Sequence, residues 1–82
     1  MRIDKYINAV NLTKRRAIAQ DMIKHNAVLL NGTVAKASKN VKIGDTITFV
    51  YLDYQKEYQI LQIPTTKSIP KSAKDEFVKE LS

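Results

Sequence analysis

The stretch Thr13–Gly32, TKRRAIAQDMIKHNAVLLNG, decides how this chain folds. Three consecutive cations, Lys14, Arg15 and Arg16, open a run in which Ala19, Met22 and Ile23 recur at helical spacing, with Ile18 beside them. Thr13 reads as the helix N-cap, and Leu12 before it as a hydrophobic staple. Asn26 reads as the stop, because asparagine tolerates the left-handed conformation that a helix end needs. Val28, Leu29 and Leu30 then make a short strand. Asn31-Gly32 supplies the two positive-φ residues of a type I′ hairpin turn. Cations at a helix start oppose its dipole and cost stability, by a few tenths of a kcal/mol each. That same end presents unpaired N–H groups, which favour anions and phosphate above all. Three residues after the cap, a sequence chosen for stability alone carries Glu or Gln; this one carries Arg16. A local sacrifice of this kind marks Lys14, Arg15 and Arg16 as candidate ligand contacts.

Upstream, RIDKYINAV (residues 2–10) places Ile3, Tyr6, Ile7 and Val10 on one apolar stripe of a short helix. Tyr6 therefore reads as a core residue. Arg2 and Lys5, three apart, share a face beside the stripe. Asp4 lies in the first turn, where it suits the dipole and can pair with a neighbouring Arg. Downstream, Thr33–Ala35 returns antiparallel, and Lys36, Lys39 and Lys42 punctuate the loop that follows. Val41–Asp45 reads as a turn that launches a strand over Thr46–Leu52. Asp53–Lys56 is a second turn and Glu57–Ile63 a further strand. Tyr58 and Ile60 face the core, Leu61 and Ile63 are further candidates, and Pro64 ends the strand. Thr65–Lys71 is a polar connector. Ser72 and Asp75 resemble a capping box for a final short helix, whose stripe is Phe77, Val78 and Leu81. Two units result: residues 1–63, a domain with an extra C-terminal hairpin, and residues 64–82, a connector with a short helix.

Eighty-two residues suffice for one small domain. There is no cysteine, so neither a disulfide nor a thiolate zinc site is available, and the single histidine, His25, reads as a structural or surface residue of the last helical turn. No run of 18 apolar residues indicates a membrane span and no secretory signal is evident, so the expected location is the cytoplasm. The net charge is +6. Residues 1–48 hold nine cations and three acids, whereas residues 49–82 hold five of each. The whole excess thus lies in the front half and implies a polyanionic partner for it. No glycine-rich phosphate loop, Ser/His/Asp set or carboxylate pair is present, so no catalytic residue, metal or cofactor is expected.

The span RIDKYINAV…LTKRRAIAQDMIKHNAVLLNGTVAKASKNVKIGDTITF resembles the S4 RNA-binding domain, and more closely the ribosome-associated heat-shock protein 15 family with its bacterial ribosome-quality-control members. The order of elements carries the resemblance: an Arg-x-Asp-Lys opening, a cationic helix start with Ala19 three after Arg16, the Asn-Gly turn, and an apolar-x-x-Gly-Asp launch ending at Asp45. It implies an α+β, S4-like (alpha-L) fold, with two N-terminal helices on a small twisted antiparallel sheet and a short C-terminal helix. By position, Arg2, Asp4, Lys5, Arg15 and Arg16 match the family's opening and helix-start motifs, Asn31 and Gly32 its turn, and Lys36 and Lys39 its basic loop. Many S4 domains carry Ser where Arg15 stands and Gly where Asn26 stands. Both departures shift weight to the cation-rich quality-control type.

The function expected from this resemblance is non-catalytic. The chain docks, as a monomer, on structured ribosomal RNA of large subunits that still carry an obstructed peptidyl-tRNA, and it contacts that tRNA. No membrane and no small-molecule substrate is involved. The expected RNA contacts are Arg2, Lys5, Lys14, Arg15, Arg16, Lys36 and Lys39, supported by Asp4, Asn31 and Gly32. Few exposed aromatics accompany these cations, so phosphate and shape recognition is expected over base stacking. Two other roles are compatible with the residues: a free-standing module that brings another RNA enzyme to its target, and a protein–protein adaptor with an incidental basic surface.

Overall fold

The helix Ile3–Ala9 (α1) and the helix Arg16–Lys24 (α2) each end on an asparagine in the left-handed region, Asn11 at φ 59° and Asn26 at φ 61°. Each end is closed by the same paired bonds. Leu12 N–H donates to Ile7 and Asn11 N–H to Asn8 after α1; Ala27 N–H donates to Met22 and Asn26 N–H to Ile23 after α2. This is the Schellman arrangement, and it satisfies the carbonyls that a helix end leaves free. The computed structural model describes residues 1–81, and Ser82, the last residue of the expected C-terminal unit, lies outside them.

The start of α2 differs from the sequence reading. Thr13 is not the N-cap: its hydroxyl donates to the Arg15 carbonyl at 3.0 Å and is spent within its own bend. Arg15, extended at φ −138° and ψ 147°, takes the N-cap position, and no side chain caps the helix. Lys14 therefore belongs to the 11–15 loop and Arg16 is the first helical residue.

Five strands form one antiparallel sheet: β1 (Val28–Leu30), β2 (Thr33–Val34), β3 (Thr46–Val50), β4 (Gln55–Ile60) and β5 (Val78–Glu80), in the order β2-β1-β3-β4-β5. Asn31 (φ 52°) and Gly32 (φ 84°) make the expected turn, with Leu30 opposite Thr33. Asn31 also locks the sheet. Its side chain donates to Asp45 Oδ1 at 3.1 Å and accepts from Thr46 N–H at 2.9 Å. Asp45 is buried and uses its other oxygen to accept from Lys42 N–H, closing the turn in which Gly44 sits at φ 95°. The hairpin that joins β3 to β4 turns at Leu52-Asp53, earlier than the expected Asp53–Lys56, because Tyr51 N–H already donates to the Tyr54 carbonyl.

The core lies between the helix pair and the sheet. Ile3, Tyr6, Ile7 and Val10 of the N-terminal stripe pack with Ala19, Ile23, Val28, Ile47, Phe49 and Ile60. Tyr58 meets Phe49 edge to face, with ring centroids 5.9 Å apart. Met22 is only half-buried and Ile18 is exposed, so the inward face of α2 is narrower than its apolar content suggests.

The C-terminal segment also departs from the sequence reading. After a 3₁₀ turn (Lys71–Ala73) the helix Lys74–Phe77 (α3) is one turn long, and Val78 opens β5 against Ile60. The expected stripe is split: Val78 is buried in the sheet while Leu81 stays exposed. Two forces favour the strand. A helix this short has little intrinsic stability, and the open edge of β4 offers ladder bonds to an extended chain. The Phe77 carbonyl accepts from Leu61 N–H at 2.8 Å and from the Tyr6 hydroxyl at 3.1 Å, which ties the tail to α1.

Burial pushes the Tyr6 phenol well above its ordinary value of 10, and it raises Tyr51 and Tyr58 as well. The fold thus holds neutral phenols. Above pH 10 the unfolded chain gives up these protons while the folded chain keeps them. The stabilisation is complete below pH 10 and is lost as pH rises beyond it. Tyr6→Phe removes a buried hydrogen bond and should cost about 1 kcal/mol near neutral pH. Melting curves at about pH 8 and pH 11 should show that gap narrowing in alkali. A gap that is constant with pH would contradict the role given to Tyr6.

Candidate nucleic-acid interface

Arg16 is the first residue of α2 and Gln20 lies one turn further on the same face. Opposite them, Lys5 and Asn8 lie three apart on α1. Together they line a groove of about 520 Å³ between the two helices. Asp4 and Met1 line one part of it, and Thr65, Thr66 and Lys67 another. Lys67 is a cation that the sequence reading left out. It arrives because the connector is pinned to the end of α1: Ile69 is buried, its N–H donates to the Ala9 carbonyl at 2.9 Å, and its carbonyl accepts from Asn11 Nδ2. The lone isoleucine between two prolines was the available sign that this connector packs.

Asp4 performs both duties expected of it. Its Oδ1 accepts from the Lys5 backbone N–H at 2.8 Å and its Oδ2 pairs with Arg2 Nη2 at 3.0 Å. The pair is exposed enough to add little stability. Its effect is geometric, holding the Arg2 guanidinium beside the groove. The backbone brings the basic loop to the same end. Ile3 N–H donates to the Lys39 carbonyl at 2.7 Å, Val41 N–H to the Met1 carbonyl at 2.9 Å, and Arg2 bridges Asn40. Lys36 and Lys39 line a shallow depression that Asn31 and the β1–β2 hairpin complete.

The structure therefore gathers Lys5 and Arg16 in the groove between α1 and α2, ties Arg2 to Asp4 of that groove, and fastens the 35–41 loop, whose Lys36 and Lys39 line a separate depression, to the backbone of the N-terminus. Lys14 and Arg15 stand apart from this groove. Arg15 is exposed at the N-cap, and Lys14 lines a different groove together with Ile18. At 100° per residue, Ile18 points some 200° away from Arg16, so the two grooves flank α2 on opposite sides. Asn31 and Gly32 shape the hairpin. His25 closes the last turn of α2, with Nδ1 2.8 Å from the Asp21 carbonyl. Among the described residues no three of His, Cys, Asp and Glu gather as a metal site requires, and no helix is long and apolar enough to cross a membrane.

Residues 1–47 match the S4 domain model. A Helicobacter pylori (strain ATCC 700392 / 26695) protein called RQC P-site tRNA stabilizing factor is 56% identical over 71 residues, which cover 87% of this chain and 84% of the relative. The Bacillus subtilis (strain 168) protein of the same name is 42% identical over 48 residues, 58% of this chain and 56% of the relative. Among solved structures, the trimeric heat shock protein 15 of Vibrio cholerae superposes with a TM-score of 0.84 at 29% identity, covering 100% of this chain and 82% of that one. The solution structure of the hypothetical protein HP1423 also gives 0.84, at 49% identity, covering 100% and 98%. The chain belongs to the S4-domain family, together with the proteins called RQC P-site tRNA stabilizing factor.

Proposed function

We propose that this chain is a non-catalytic RNA-binding protein that docks on large-subunit ribosomal RNA and steadies a peptidyl-tRNA held there during ribosome quality control. The observation that carries the reading is the α1–α2 groove, where Lys5, Arg16 and Lys67 converge beside the Arg2 guanidinium and the Lys39 loop. No aromatic ring lines this groove, which suits contact with the phosphates and shape of folded RNA rather than with splayed bases. Arg2 and Arg16 offer planar donors to phosphate oxygens, and Lys5, Lys36, Lys39 and Lys67 add point charges. The names of the relatives support the tRNA and the quality-control setting, and the cytoplasm is where such a role is exercised.

Co-sedimentation with large subunits that carry peptidyl-tRNA, at low and at high salt, tests this reading. Co-migration that weakens steeply with salt is expected, since each neutralised phosphate contributes to the slope. Absence of co-migration at low salt would contradict the ribosomal target. The oligomeric state is a separate question: the Vibrio cholerae relative is a trimer, and sedimentation velocity distinguishes that state from the monomer expected from sequence.

A further inference from the structure

The far side of α2 carries a second groove, of about 830 Å³, whose chemistry differs from the first. Tyr51 and Tyr54 stack at its wall, ring centroids 4.7 Å apart and planes at 19°. Tyr54 remains 54% exposed, so one face of the stack is open. Four lysines from four elements of the chain line the groove: Lys14 of the 11–15 loop, Lys56 of β4, Lys71 of the 3₁₀ turn and Lys74 of α3. Lys74 Nζ lies 5.7 Å from the Tyr58 ring centroid, which keeps its charge at the wall. No acidic side chain lines the groove. The acid paired with one of these lysines is Glu80, 4.0 Å from Lys56, with both side chains about half exposed.

We propose that this groove is a second RNA-binding surface, which takes an unpaired stretch of RNA by stacking a base on the open face of Tyr54 and holding its phosphates with Lys14, Lys56, Lys71 and Lys74. An open aromatic face with cations around it and no lining acid is the combination that binds single strands: the ring accepts any base, and the lysines follow the backbone. The first groove lacks the ring and the second has it, so the two select different forms of RNA. A tyrosine pair that only braced the β3–β4 hairpin would not require the lysines of the C-terminal segment to gather beside it. The proposal rests on the reading of the chain as an RNA-binding protein and adds a site on the opposite flank of α2.

The test uses the full chain and two fluorescent probes, an oligoadenylate of about eight nucleotides and a paired RNA hairpin. Tyr54→Ala should weaken oligoadenylate binding about tenfold, and Tyr54→Trp should restore it, because stacking and not the hydroxyl is what acts. Hairpin binding should stay within about twofold in both variants. Arg16→Glu should do the converse, weakening the hairpin and sparing the oligoadenylate. Oligoadenylate binding that is unchanged both in Tyr54→Ala and in a triple alanine variant of Lys56, Lys71 and Lys74 would overturn the second site while the hairpin still reports on the first. A change in sedimentation of Tyr54→Ala without a change in RNA binding would make the groove an interface between copies, and would overturn it too. Loss of hairpin binding from the unmutated chain would instead sink the RNA reading as a whole.

Discussion

Reversing the charge of Lys5 and Arg16 together should weaken binding to large-subunit RNA at least about a hundredfold, with no loss of fold. Hydrogen bonds to charged groups contribute about 1.5–3 kcal/mol each, and two such contacts amount to two or more orders of magnitude in affinity. The reversed charges add repulsion from the phosphates. Both side chains are exposed, and neither forms an ion pair among the described residues. The fold therefore does not depend on them, and a glutamate at the first position of α2 even suits the helix dipole. The slope of log affinity against log salt should also fall, by about one for each phosphate contact removed. Fluorescence anisotropy over a salt series gives both quantities, and circular dichroism checks the fold. A variant that binds as tightly as the parent with an unchanged slope would remove the groove from the interface.

Phe49→Ala should bring the protein close to unfolding at physiological temperature. Phe49 sits in β3, 1% exposed, paired with Val28 on one side and Lys56 on the other. Its ring carries the edge contact to Tyr58. Truncation of a buried Phe costs about 3–5 kcal/mol, and a domain of this size has only about 4–12 kcal/mol in total. The melting temperature should fall by at least about 12 °C. A fall of under about 5 °C would mean that the sheet closes over the gap. RNA binding measured well below the new midpoint should be preserved, because the groove lies on α1 and α2.

What could be read from the sequence was what is local. The Asn26 stop, the Asn-Gly turn and the apolar stripe of α1 each depend on the φ preference or spacing of a few neighbouring residues, and all three are where the sequence put them. The N-cap was misplaced because a threonine hydroxyl has two local uses, and Thr13 takes the bend rather than the cap. The residues Val78–Glu80 read as helix because their spacing allows it; the β4 edge that recruits them as a strand lies about twenty residues earlier in the chain. The charge balance of the two halves was correct as arithmetic and misleading as geography. Lys67 joins the front-half cations only because Ile69 docks on α1, and Tyr51 and Tyr54 meet Lys71 and Lys74 only through the folded tail. Each of these depends on contacts between distant parts of the chain, and the only local sign of any of them is the lone Ile69 between two prolines.

Electron cryo-microscopy of the protein bound to a large ribosomal subunit that carries peptidyl-tRNA tests the central claim most directly. The account predicts that the α1–α2 groove faces RNA, with Arg2, Lys5 and Arg16 within hydrogen-bonding reach of phosphate oxygens and the loop of Lys36 and Lys39 against the same RNA. A complex in which that groove faces solvent, and another surface of the chain makes the contact, would contradict it.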